Sequence, residues 1–192
     1  ALAQAGLPQF AGLPAAMTLA QWLAAPAAWP AGGCADSGVL AVDLLLADGV
    51  EETLGPFGAD DVQPLRSATV QRLVPALFQL AGGELARACR SAAAWRARYR
   101  LDALIPRAPA SVNLAHLLLG HGGTLGWVQA VTLAAPAAPP AEQAGPQARP
   151  GAAEPPAAAA GEVLALQARI KDLFDPYGRF PELAARTDGD NL

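Results

Sequence analysis

The stretch NLAHLLLGHGGTLGWVQAVTL, Asn113 to Leu133, decides the fold. An apolar run with helical spacing ends at a glycine cluster, and an apolar run of strand character follows. Gly120, Gly122, Gly123 and Gly126 fall within seven residues. Glycine reaches positive φ and lets backbone approach backbone or a ligand closely. Two readings stay open. One is a tight helix-to-strand turn closed by a glycine C-cap. The other is a turn of bare amides that holds a phosphate or a flat cofactor.

Working outward, Leu114 to Leu119 reads as a short helix and Thr124 to Leu133 as a strand. Val39 to Ala47 and Glu51 to Leu54 read as a hairpin about Asp48-Gly49, both residues that tolerate left-handed turn conformations. Val70 to Leu80 and Glu84 to Arg98 read as helices separated by Gly82-Gly83, the first interrupted or started late by Pro75. Strands at both ends with helices between predict an α+β fold: a small, mostly antiparallel sheet with helices packed on one face.

Four segments follow. Residues 1–30 are irregular, with one short helix around Met17 to Ala25. Residues 31–133 are the folded core. Ala134 to Gly161 holds seven prolines in 28 residues and no aromatic or β-branched side chain, the composition of a linker. Residues 162–192 start with an amphipathic helix, Glu162 to Phe174, carrying Val163, Leu166, Ile170 and Leu173 on one face. Asp175-Pro176 stops it, and Thr187 to Leu192 is a polar tail.

The net charge of −4 gives no electrostatic reason to expect nucleic acid or an anionic membrane. No apolar run approaches the roughly 20 residues that span a bilayer. The first 30 residues lack a basic region and are broken by Pro8, Pro14, Pro26 and Pro30, which predicts no signal peptide. Two distant cysteines, Cys34 and Cys89, exclude a disulfide framework and predict a reduced, cytoplasmic chain.

Candidate chemistry is sparse. His116 and His121 are the only histidines, and neither pairs with Cys or carboxylate at metal-ligand spacing, so no metal is expected. His116 reads as an exposed or capping residue, and His121 lies inside the glycine turn. Arg96, Arg98 and Arg100, interleaved with Trp95 and Tyr99, read as a solvated helix end rather than an anion site. Glu51-Glu52 and Asp60-Asp61 read as solvated turn flanks. No Ser/His/Asp or Cys/His arrangement has a usable spacing.

Five blocks, taken in order, resemble the FAD-linked oxidases with a vanillyl-alcohol-oxidase (PCMH) type FAD domain. They are AGGCADSG (Ala31 to Gly38), VLAVDLLLADGVEETLGP (Val39 to Pro56), WRARYRLDALIP (Trp95 to Pro106), the glycine turn Gly120 to Gly126, and LQARIKDLFDPYGRF (Leu166 to Phe180). The branch they resemble most includes the D-lactate, glycolate and D-2-hydroxyglutarate dehydrogenases. The family's Gly-Ser-Glu-Gly-Thr-Leu-Gly appears here as Gly-His121-Gly122-Gly-Thr-Leu-Gly, with Trp127 after it. Arg98 stands for the glycine before the family's Tyr, and Pro181-Glu182-Leu183 stands for the closing Asn-Pro-Gly.

The resemblance implies FAD contacts at Gly32, Gly33, Ser37, Gly38, Gly120, His121, Gly122, Gly123, Thr124, Gly126 and Val128. It implies a flavin that abstracts a hydride from a small D-2-hydroxy acid. It covers only the second FAD subdomain and the closing motif of a longer enzyme. No counterpart of the family's glycine-rich diphosphate loop occurs in the chain, and the Ala/Pro stretch stands where the substrate cap would lie. The implied protein is therefore an incomplete 2-hydroxy acid dehydrogenase, expected not to hold FAD alone. The alternatives are a non-catalytic subunit that packs against a partner flavoprotein, and a degenerate copy.

Overall fold

The computed structural model describes residues 6–26, 29–58, 64–90, 94–135 and 157–183. Asp60-Asp61, most of the proline-rich stretch and the polar tail lie outside these residues. The architecture is α+β, as the sequence pattern predicts. Helix α1 (Leu19–Ala24) precedes the hairpin β1 (Val39–Leu45) and β2 (Glu51–Leu54), then α2 (Ala68–Ala81), α3 (Glu84–Cys89), β3 (Trp127–Leu133) and α4 (Ala157–Phe174). The sheet is antiparallel throughout, in the order β2-β1-β3.

The hairpin forms where Asp48-Gly49 places it, with Leu46 N–H bonded to Val50 O across the turn. Its register sets Val42 opposite Leu54 on one side and Val131 on the other. Val42, Leu44 and Leu54 point inward and share one buried cluster with Val70, Val74 and Leu77 of α2 and Leu166, Ile170 and Phe174 of α4. Each fully buried side chain of this size stabilises the fold by roughly 2 kcal/mol.

Several boundaries differ from the sequence reading. Pro75 does not interrupt α2, which runs through it from the Ser67 cap. Pro75 and Gln71 both lie on the exposed face of the helix, where solvent can stand in for the helical donor that proline lacks. The helix expected to reach Arg98 ends at Cys89, with Arg90 extended and bridged to Trp95. Leu114–Leu118 is a 3-10 helix with all five residues buried. Strand β3 begins at Trp127 rather than Thr124, because Thr124 is held in the turn by a bond to His121 O. Helix α4 starts at Ala157, inside the stretch assigned to the linker, since an alanine run has the highest helix propensity of any composition.

Glu52 is not a solvated flank. It is buried, and its carboxylate accepts Arg66 N–H at 3.1 Å and Ser67 N–H at 2.7 Å at the positive end of α2. Glu51 is exposed, as expected.

Candidate functional site

The glycine turn is a closed junction. Gly120 N–H donates to Leu23 O at 2.8 Å, and Gly122 N–H donates to Ala24 O at 3.1 Å. His121 N–H bonds Leu118 O and Thr124 N–H bonds His121 O, both at 3.2 Å. Gly123 N–H reaches the Nδ1 of His121 at 3.1 Å. Every amide from Gly120 to Thr124 thus has an acceptor within the chain. Gly120, Gly122 and Gly123 all take positive φ, which is why this turn is written in glycine.

Three elements close over it. The carbonyl end of α1 covers the Gly120 and Gly122 amides. Arg98 donates from Nε to Gly120 O at 2.8 Å and from Nη2 to Ala24 O at 3.0 Å. A Cβ at Gly122 would lie 3.1 Å from the Leu183 side chain, so the C-terminal segment packs there too. From below, Tyr99 Oη shares a 2.7 Å hydrogen bond with Thr124 Oγ1, and Leu44 backs Gly126. In this arrangement the turn offers no free amide between Gly120 and Thr124, and the residues present do not fit a diphosphate.

Burial, aided by the nearby Arg98 charge, pushes His121 down to about 4. It is a neutral acceptor for Gly123, not an acid or a cation. His116 corrects the expectation of an exposed residue. It is buried, its Nε2 lies 2.9 Å from Val39 O, and burial holds its pKa below the ordinary value.

The second group of proposed contacts, Gly32, Gly33, Ser37 and Gly38, is also engaged internally. Gly32 N–H donates to Asp102 Oδ2 at 2.7 Å, Gly33 N–H to Pro30 O and Gly38 N–H to Ala35 O. The Ser37 hydroxyl accepts Val39 N–H. Beside Gly38 runs a groove of about 290 Å³, bounded by Val39, Leu40, Pro56, Asn113 and His116. Gly38, a residue assigned to the cofactor, borders this open space. Val128 is half-buried on β3, opposite Leu44.

Below this loop sits a polar cluster that the sequence reading missed. Arg100 donates from Nε and Nη2 to the two oxygens of Asp102 at 2.8 and 2.6 Å. Its remaining donors reach Trp29 O and Pro30 O. Both side chains are almost wholly buried. Arg100 and Arg98 are therefore tethers, and only Arg96 keeps the solvated place expected of all three. The available signal was Arg-x-Asp beside an apolar run, since a buried charge is kept only with a partner.

Asn113, also missed, ties the turn block to β1. Its Nδ2 donates to Leu40 O at 2.8 Å, and its Oδ1 accepts Ala115 N–H. At the far end, Asp175 accepts Lys171 Nζ, Arg179 N–H and Phe180 N–H, folding the DPYGRF turn back on α4.

Both cysteines are buried and unpaired. Burial pushes the Cys34 thiol up to about 12 and the Cys89 thiol up to about 11, so neither is a nucleophile near neutral pH. Among the described residues, no group of three or more His, Cys, Asp or Glu could hold a metal ion. Among the same residues, no helix is long and apolar enough to cross a membrane. Comparisons with protein-family models, curated proteins and solved structures gave no match.

Proposed function

We propose that this chain is a flavin-subdomain module of the FAD-linked-oxidase type, acting as a non-catalytic subunit that packs against a partner flavoprotein. The observation that carries this reading is the bare outer face of the sheet. There Trp127 is 67% exposed and stands directly opposite the half-buried Leu45 of β1. An exposed tryptophan beside a partly exposed leucine, rimmed by the polar pairs Thr53–Asp43 and Gln129–Glu51, has the make-up of a surface that a partner covers. The partner would supply the diphosphate loop and the substrate cap. FAD would supply the hydride chemistry on a small 2-hydroxy acid.

The order of the five resembling blocks supports the family half of this reading. Their mutual hydrogen bonds add to it: Gly32 of the first block meets Asp102 of the third, and Tyr99 of the third meets Thr124 of the fourth. The engaged amides of Gly120 to Thr124 support the non-catalytic half.

The test is a titration of the purified chain with FAD, read by flavin fluorescence. The expected result is no quenching. Stoichiometric quenching would overturn the non-catalytic half and favour a self-sufficient 2-hydroxy acid dehydrogenase type. Size exclusion with light scattering reports on the sheet face. Concentration-dependent association is expected, and a single monomer at every concentration counts against a docking face.

A further inference from the structure

Positive charge is concentrated in one segment of an acidic chain. Residues 85–107 carry six of the thirteen basic side chains and one of the seventeen acidic ones, Asp102. Two of the six turn inward: Arg98 to Gly120 O and Ala24 O, and Arg100 to the Asp102 carboxylate. The other four, Arg87, Arg90, Arg96 and Arg107, make no ion pair. Among the described residues, the ion pairs are Arg100–Asp102 and Lys171–Asp175. Arg87, Arg96 and Arg107 are exposed, and Arg90 is half-buried. Arg90 Nη2 lies 3.4 Å from Ile105 O. A Cβ on Gly32 would stand 3.0 Å from that same oxygen and 3.1 Å from Cγ of Arg107, so Arg90 and Arg107 share one patch. Like charges gathered without counter-charges repel one another, and an acidic partner relieves that repulsion.

The patch also has a socket. Ala81, Ala86, Arg87, Arg90, Trp95 and Ile105 line a pocket of about 40 Å³. Ile105 is 41% exposed there. Trp95 is pinned, since its Nε1 donates to Tyr99 O at 2.8 Å. Tryptophan and arginine around an apolar pocket are the composition of an interface anchor. The pocket is far smaller than the roughly 150 Å³ that accommodates benzene, so it fits the tip of an aliphatic side chain and not a flavin ring or a nucleobase.

We propose that this patch docks an acidic segment of a partner polypeptide, with one aliphatic side chain in the pocket and flanking carboxylates on Arg87, Arg90 and Arg107. A carboxylate meets a guanidinium through two parallel hydrogen bonds, which orients the segment as well as holding it. The surface lies at the α2–α3 end of the fold, apart from the open sheet face. It goes beyond the flavin reading and does not rest on it.

The experiment titrates the full chain into a fluorescein-labelled peptide, Glu-Glu-Asp-Leu-Glu-Glu, and reads anisotropy. Saturable binding is expected. It should weaken at least tenfold in the double variant Arg87→Gln/Arg107→Gln, and at least threefold when serine replaces the peptide's leucine. Both substituted arginines are exposed, and circular dichroism checks that the variant folds. Raising the salt from about 0.05 M to about 0.3 M should also weaken binding, because exposed charge pairs are screened. Arg72→Gln, at an exposed position on α2, should leave binding unchanged. No saturable binding by the native chain overturns the proposal. So does an equal loss in Arg72→Gln, equal binding of the leucine and serine peptides, or oligothymidylate binding as tightly as the peptide. Peptide binding by a chain that stays monomeric keeps this surface and counts against docking at the sheet face. Association lost in Trp127→Ser, with no peptide binding, does the reverse.

Discussion

The Asp102 carboxylate accepts the Gly32 amide at 2.7 Å, joining residues 70 positions apart in the chain. The same carboxylate holds Arg100 through two bonds, so one side chain fixes both the loop before β1 and the segment before the glycine turn. Removing it leaves a buried guanidinium uncompensated. Asp102→Ala is expected to lower unfolding free energy by about 3–5 kcal/mol. Urea denaturation followed by circular dichroism checks this, and a loss under 1 kcal/mol would show that the pair is dispensable.

Two glycines of the proposed cofactor surface should respond differently to alanine. Gly38 has φ +71, and a Cβ there would sit 2.2 Å from Ala134 O. Gly123 has φ +76 but nothing within 4 Å. Gly123→Ala carries only the left-handed penalty of about 1–2 kcal/mol. Gly38→Ala carries that penalty plus a backbone displacement, and should be the more damaging by at least about 1 kcal/mol. Melting temperatures of the two variants, compared side by side, test the ranking.

Acid should weaken the fold through His121. Its pKa is depressed from 6.5 to about 4, so the unfolded chain takes up a proton across that window while the folded chain does not. The stabilisation is complete above pH 6.5 and falls as the pH drops towards 4, by about 3 kcal/mol in all. Burial lowers His116 in the same direction. Denaturation at pH 7.5, 5.5 and 4.5 measures the slope. His121→Asn, which keeps an acceptor for Gly123, should flatten it, and an unchanged slope would assign the effect elsewhere.

The bond between Tyr99 and Thr124 is buried and 2.7 Å long. A double-mutant cycle with Tyr99→Phe and Thr124→Val should return a coupling of about 1 kcal/mol. Strict additivity would mean that the hydroxyls find other partners when separated.

The readable part of the fold was the part governed by local chemistry. Asp48-Gly49 sets a hairpin whatever surrounds it, and the 2.0 and 3.6 residue periods mark β1 and α2. The polar interior was not readable in this way. Arg100 and Asp102 lie two apart in sequence, a spacing that reads as surface charge until the backbone groups of Trp29, Pro30 and Gly32 arrive to bury them. His116 misled for a similar reason, because its partner Val39 is 77 positions away. In the glycine turn the residue order identified where backbone would be exposed by lack of Cβ. It carried no sign that α1, about a hundred residues upstream, would meet those amides first.

Strand β3 contains no charged residue, and none of its seven side chains is buried. It is also an outer strand of the sheet. An uncharged open edge recruits further strands by main-chain bonding, without regard to sequence. This edge is therefore expected to drive association between copies as the concentration rises. A single lysine at Ala130 should extend the protein's shelf life more than any improvement to its interior.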